Sequence, residues 1–257
     1  MATLSARSVP GLPEVRAGED LAELIVRALD GERSRGGEQL HDGRVVAIAH
    51  KVVSKAEGAV VALADVSPSE RAHTLAAALD KDARAVQVVL DESTEVLRAE
   101  RGVLVCRTRH GFVCANAGVD ASNAPAPETL VLLPRDPDGS ARRIRTRLRE
   151  LTGRAPAVLL SDSFGRPWRH GQLDVAVGLA GMQPLDDWRG RSDAAGLRLQ
   201  ATWLAVADAA AASAELTRAK DSREPVVILS GLERYVTPQD GPGVAALLRP
   251  AQEDLFR

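Results

Sequence analysis

Ala157-Val158-Leu159-Leu160-Ser161-Asp162-Ser163-Phe164-Gly165-Arg166-Pro167-Trp168-Arg169-His170-Gly171-Gln172-Leu173-Asp174 opens as an unbroken apolar run and turns abruptly polar. Residues 157–160 read as a short buried strand. Residues 161–174 read as a loop at its end, where binding groups concentrate. That loop holds two Asp, two Arg, a His, a Gln and a Trp within 14 positions, too many reactive types for a plain connection. Asp162 and Ser163 offer carboxylate and hydroxyl oxygens to a hard metal. Arg166 and Arg169 have the forked geometry that clamps phosphate or carboxylate. The competing reading is a loop held by Arg–Asp pairs.

On either side of this stretch, helices and strands mix without a strict βαβ rhythm. A helix is expected over 20–29, where Leu21, Leu24, Ile25 and Leu29 share a face, Asp20 and Glu23 form a capping box and Gly31 is the stop. A polar loop over 31–43 leads to a buried strand over 44–49. A second helix is capped by Ser67, with Pro68 at its first position, and runs to 79. The spacing of Val86, Val89, Leu90 and Leu97 favours helix over 84–99. Apolar runs over 103–106 and 112–115 flank Thr108-Arg109-His110-Gly111 as a β-hairpin. A strand is expected over 129–133. A helix over 140–151 buries Ile144, Leu148 and Leu151, turns Arg142, Arg143, Arg145 and Arg147 outward and stops at Gly153. An Ala-rich helix over 201–216 and a strand over 225–229 complete the pattern. The fold class is therefore α+β (mixed α/β) rather than a doubly wound sheet.

The chain of 257 residues is long enough for one or two domains with a sizeable core. Aromatics are only 3% of it, so that core must be built from Leu, Val, Ile and Ala. Thirty-three Lys and Arg against 35 Asp and Glu give a net charge of -2, which argues against nucleic acid or membrane as a partner. Two cysteines, Cys106 and Cys114, exclude a disulfide framework and a Cys-rich zinc site. With no apolar run of about 20 residues and no apolar signal segment, a cytoplasmic protein is expected.

Two further polar segments stand at strand ends. His50-Lys51-Val52-Val53-Ser54-Lys55 offers ammonium groups to a phosphate, against the alternative that both lysines are solvated helix-face residues. Asn116-Ala117-Gly118-Val119-Asp120-Ala121-Ser122-Asn123 offers oxygens suited to Mg²⁺ or Mn²⁺, against the alternative of an Asx-rich turn. There is no P-loop, no Rossmann glycine fingerprint, no nucleophile elbow and no His-Glu-x-x-His, and the five histidines lack metal-ligand spacing. The residues alone thus point to an enzyme with a hard-metal site and cationic clamps for phosphate or carboxylate.

In order along the chain, six segments resemble the coenzyme F420-0:L-glutamate ligase family. They are Gly11-Leu12-Pro13-Glu14-Val15, residues 49–58 around His50 and Lys55, Thr108-Arg109-His110-Gly111-Phe112-Val113, Ala117-Gly118-Val119-Asp120-Ala121-Ser122-Asn123, Leu133-Pro134-Arg135-Asp136-Pro137-Asp138, and Ser161–Arg169. The likeness extends to the tail 253–257. Each motif is weak alone, and the six in register are specific.

The resemblance implies a GTP-dependent ligase that activates the carboxylate of F420-0 as an acyl phosphate, adds L-glutamate and then extends a γ-linked tail. It implies a single unit over 1–257 with two lobes, without P-loop or Rossmann motif, in an intertwined homodimer. It implies two Mg²⁺ or Mn²⁺ ions per site, with K⁺ as a further ion. By position, Leu12, Pro13, Glu14, Val15, His50, Lys55, Asn123 and Lys220 fall on the guanine-nucleotide site. Asp120 and Asp162 match ligands of one metal, and Ser163 a ligand of the second. Ala209 and Ala219 stand where relatives carry Glu and Gly. The alternatives on these residues are a metal-dependent phosphohydrolase and a nucleotide-binding regulatory homologue.

Overall fold

The computed structural model describes residues 3–34 and 40–254. In chain order the elements are β1 (Ser5–Ser8), α1 (Leu21–Arg33), β2 (Val45–Ala49), α2 (His50–Ala56), β3 (Val60–Ala62), α3 (Glu70–Leu79), α4 (Ala83–Asp91), β4 (Ser93–Glu100), β5 (Val103–Thr108), β6 (Val113–Ala115), β7 (Thr129–Val131), α5 (Pro137–Thr152), β8 (Ala157–Arg166), β9 (Arg169–Ala180), β10 (Leu185–Asp187), β11 (Trp203–Ala205), α6 (Val206–Glu215) and β12 (Val226–Ser230). The mixed α and β composition expected from the sequence is present.

The main sheet has the order β1-β12-β2-β8-β9, and within it only β2 and β8 run parallel. Val45, Val46, Ala47 and Ile48 of β2 are all buried, as are Ala157 to Leu160 of β8. Burial on both faces is why these strands read as continuous apolar runs. α5 and α6 pack against this sheet, and α1 lies on α5. The close seat of α5 needs Gly178, because a Cβ there would lie 2.6 Å from the Pro137 carbonyl oxygen. A second apolar cluster gathers residues of α3, α4 and β5, including Ala72, Val86, Val89, Leu104 and Cys106. The sheet β4-β5-β6 and the pair β3–β7 lie in this part of the chain.

Several expected boundaries are corrected. Gly31 does not stop α1: the ladder continues as Ser34 N–H donates to the Asp30 carbonyl. Asp20 does cap that helix, accepting from Glu23 N–H, but the Glu23 side chain turns to Arg27 instead of closing a capping box. The cap of α3 is Ser69, whose hydroxyl accepts from Ala72 N–H, so Pro68 precedes the cap. The span 84–99 splits: α4 ends at Asp91, and β4 pairs with β5, so Leu97 belongs to a strand. α5 starts earlier than expected because Asp136 caps it, with Pro137 in its first turn. Arg145 is buried rather than solvated, donating to the carbonyls of Pro156, Thr237 and Pro238 and to Asp240.

Residues 203–205 are strand, not helix, since Trp203, Leu204 and Ala205 pair with β10. The largest correction concerns 161–174. This is no loop but the outer half of a long hairpin, β8–β9, closed by Pro167-Trp168 with Trp168 at φ 58°. Part of the polar loop 31–43 and residues 255–257 of the tail lie outside the described residues. Among the described residues no helix is long and apolar enough to cross a membrane.

Candidate active site

Parallel neighbours bring their C-terminal ends to one level, the place where ligands bind in sheets of this kind. Here Ala49, the last residue of β2, is in register with Ser161 of β8. After Ala49 comes His50, which leaves the strand, and after Ser161 comes Asp162, still within β8. His50 opens α2 and is 1% exposed. Its Nε2 lies 3.2 Å from Asp162 Oδ1 yet makes no aligned hydrogen bond, and its Nδ1 lies 3.3 Å from Ser54 Oγ.

Across the hairpin Ser163 faces Asp174, and its hydroxyl donates to Asp174 Oδ1 at 2.6 Å. Asp174 is 3% exposed. Its Oδ2 accepts from Ser161 Oγ at 2.8 Å and from Arg218, which also donates to Ser161 Oγ. Burial alone would raise the Asp174 pKa, but the Ser163 hydroxyl and the Arg218 charge outweigh it and hold the carboxyl below its ordinary range. Lys220 completes the group, donating to Ser163 Oγ at 2.7 Å and to Glu215 Oε1 at 3.0 Å. Asp174, Glu215 and Arg218 were not expected here. Asp174 closes the polar stretch that opened the reading. Glu215 and Arg218 follow an Ala-rich segment and carried no local signal.

Asp120 shares no hydrogen bond with that group among the described residues and is held by a bridge to Val131 of β7. Its carboxylate accepts from Lys51 Nζ at 2.5 Å and from the Ser122 backbone N–H and hydroxyl, both at 2.7 Å. Burial would push its pKa up, but Lys51 and Ser122 bring it below the usual value. The Ser122 contact is the Asx-type turn foreseen as the alternative, and Lys51 is not a free solvated lysine.

Lys55 is 7% exposed and donates to Glu14 Oε1, so it is no solvated helix-face residue either. In the same segment Val15 is buried, Leu12 packs partly buried against the core, and Pro13 is exposed. Asn123 is exposed at φ 55°. Arg166 and Arg169 are paired at the exposed hairpin end, and Arg166 donates to the His170 carbonyl at 2.7 Å. Four residues along a strand put Arg166 about 13 Å from Asp162. Thus His50 and Asp162 meet, and Ser163 and Lys220 meet, while the two arginines stand away from both groups. An open crevice of about 450 Å³ lined by Trp188, Arg191, Arg234 and Tyr235 lies elsewhere and includes none of these residues.

Among the described residues no three His, Cys, Asp or Glu side chains converge as a metal cage. A carboxylate-and-hydroxyl set nonetheless suits Mg²⁺ or Mn²⁺. Mg²⁺ is commonly held by one or two protein carboxylates, with water and substrate phosphate completing the shell. Asp162 Oδ1 already accepts from Ser163 N–H at 2.8 Å, which leaves its other oxygen for such an ion.

Residues 11–231 match the family described as F420-0:Gamma-glutamyl ligase. The chain is 46% identical over 255 residues to the coenzyme F420:L-glutamate ligase of Methanothermobacter thermautotrophicus, covering 99% of both chains. It is 44% identical to the enzyme of the same name from Methanopyrus kandleri, covering 99% of this chain and 98% of that one. The corresponding figures for Methanocaldococcus jannaschii are 39%, 96% and 94%. The protein is therefore an enzyme of the ligase class. It belongs to the F420-0:gamma-glutamyl ligase family.

Proposed function

We propose that this ligase joins L-glutamate to F420-0 at the expense of GTP. The terminal carboxylate of F420-0 attacks the γ-phosphorus and releases GDP, giving an acyl phosphate. The glutamate amine, having lost a proton, attacks the acyl carbon. The amide forms as phosphate leaves. Further rounds on the new γ-carboxylate extend the tail. The observation that carries the reading is the meeting of His50 with Asp162 and of Ser163 with Lys220, where β2 ends beside the middle of β8, in a chain similar to named ligases along nearly its whole length.

In this reading Leu12 to Val15 and Asn123 hold the guanine nucleotide, with Lys55 and Lys220 beside its phosphates. Asp120 and Asp162 hold one divalent ion and Ser163 a second, and K⁺ is a further ion. The metals, when bound, supply charge neutralisation to the triphosphate. Lys55 and Lys220 add fixed positive charge, and Arg166 and Arg169 clamp an anionic substrate group.

Mass spectrometry of F420-0 incubated with enzyme, GTP, Mg²⁺ and glutamate is expected to show mass added in glutamate units. Asp120→Asn is expected to cut that yield by about 10²-fold or more, since one charged ligand is lost where charge develops. Full yield from Asp120→Asn at saturating Mn²⁺ would remove Asp120 from the metal site.

The reading includes a homodimer in the cytoplasm. Leu197, Trp203 and Leu204 stand exposed along the excursion between β9 and α6, apolar surface that a second copy would cover. Light scattering is expected to give about twice the 27.3 kDa chain mass. An active monomer would contradict it. The free, buried thiols of Cys106 and Cys114 suit a reducing compartment.

A further inference from the structure

We propose that His50 is a positioning residue for Asp162, acting through a Ser54–His50–Asp162 relay, and not a contact to the nucleotide. The inference rests on the metal reading of Asp162 given above. With 1% of its surface exposed, the ring has no edge to offer a bound nucleotide. Both nitrogens face protein groups instead. Ser54 lies one turn further along α2, fully buried on the same helix face, with Oγ 3.3 Å from Nδ1. A hydroxyl donating to Nδ1 fixes the tautomer that carries its proton on Nε2.

That N–H is buried and finds no aligned acceptor in the conformation described, although Asp162 Oδ1 is only 3.2 Å away. A small rotation of the carboxylate aligns the pair. Oδ1 also accepts from Ser163 N–H at 2.8 Å. Two donors on Oδ1 pin the carboxylate and turn Oδ2, which accepts no hydrogen bond among the described residues, toward the ion. Groups that orient a metal ligand from behind in this way typically govern affinity by 10–100-fold.

The test uses His50→Leu and His50→Gln, which fill similar volume but differ in having a donor. Mn²⁺ binding to the nucleotide-free protein is read by electron paramagnetic resonance, and GTP affinity separately at saturating Mn²⁺. His50→Leu is expected to weaken Mn²⁺ binding by about 10–100-fold. His50→Gln is expected to recover most of the loss, and GTP affinity is expected to hold in both. Unchanged Mn²⁺ binding in His50→Leu, equal loss in both variants, or a loss confined to GTP would each overturn the role. A wild-type protein that binds no Mn²⁺ would overturn the metal reading itself, and the role with it. Should neither variant fold, Ser54→Ala removes a single buried oxygen, and Mn²⁺ affinity equal to wild type would reject the relay.

Discussion

Asp174→Ala is expected to lower the unfolding free energy by about 3–5 kcal/mol, because it leaves the Arg218 guanidinium buried without its counter-charge. The same change strips acceptors from the Ser161 and Ser163 hydroxyls. For a chain of this size the loss corresponds to a fall of roughly 10 °C in melting temperature. Removing both charges should cost less than removing one, so Asp174→Ala combined with Arg218→Met is expected to recover part of the loss. The pH dependence follows from the direction of the shift. The Asp174 pKa is lower in the folded chain than in the unfolded one. Its contribution is therefore fully present above the unfolded value of about 3.9, and is lost as pH falls through the folded value. Urea titrations between neutral and acid pH are expected to show a shallower acid-side decline for Asp174→Asn than for wild type. Parallel declines would mean that Asp174 does not drive it.

Lys55→Met is expected to reduce kcat/KM for GTP by about 10²-fold, or about 2.7 kcal/mol of transition-state stabilisation. On the GTP reading proposed above, with no P-loop lysine in the sequence, the charge of the transferring phosphoryl group would be met by metals and by side chains such as this one. Met keeps the apolar stem, so packing around α2 is largely retained. Glu14, 65% exposed, returns to water when its partner is lost, and little stability should go with it. The KM for glutamate is expected to change little, since glutamate does not carry the transferred phosphate. Steady-state kinetics with GTP varied decides the matter, and an unchanged kcat/KM for GTP would reject the role.

The apolar centre of the fold was legible because β2, β8 and β12 are buried on both faces, and continuous Val-Leu-Ile runs have few other homes. The hairpin β8–β9 was not. Its outer residues are polar on both faces, so the period-2 alternation that marks a half-buried strand is absent. The Ala-rich stretch misled in the opposite direction: helix propensity is right from Val206 onward, but cross-strand pairing with β10 wins at Trp203 to Ala205. His50, Asp162 and Ser163 could be singled out because each sits at the end of an apolar run. That Asp174 and Arg218 would form an ion pair beneath Ser163 could not, since hairpin register and a distant loop had to coincide. Arg145 looked like one more solvated arginine of α5. Three of its five acceptors, the Thr237 and Pro238 carbonyls and the Asp240 carboxylate, come from a segment more than ninety residues away.

The order β1-β12-β2 has a consequence for how the chain is made. β12 lies between the first two strands, and Ser5 pairs with Ser230. On the ribosome β1 therefore emerges almost at once and waits for nearly all of the remaining chain before its neighbour exists. The inner edge of β2 stays open just as long. Pairings of such long sequence separation form slowly, and open apolar edges are where newly made chains associate wrongly. Synthesis of this protein thus passes through a period in which Val45 to Ile48 present an unpaired backbone edge, closed only when Val226 to Leu229 arrive.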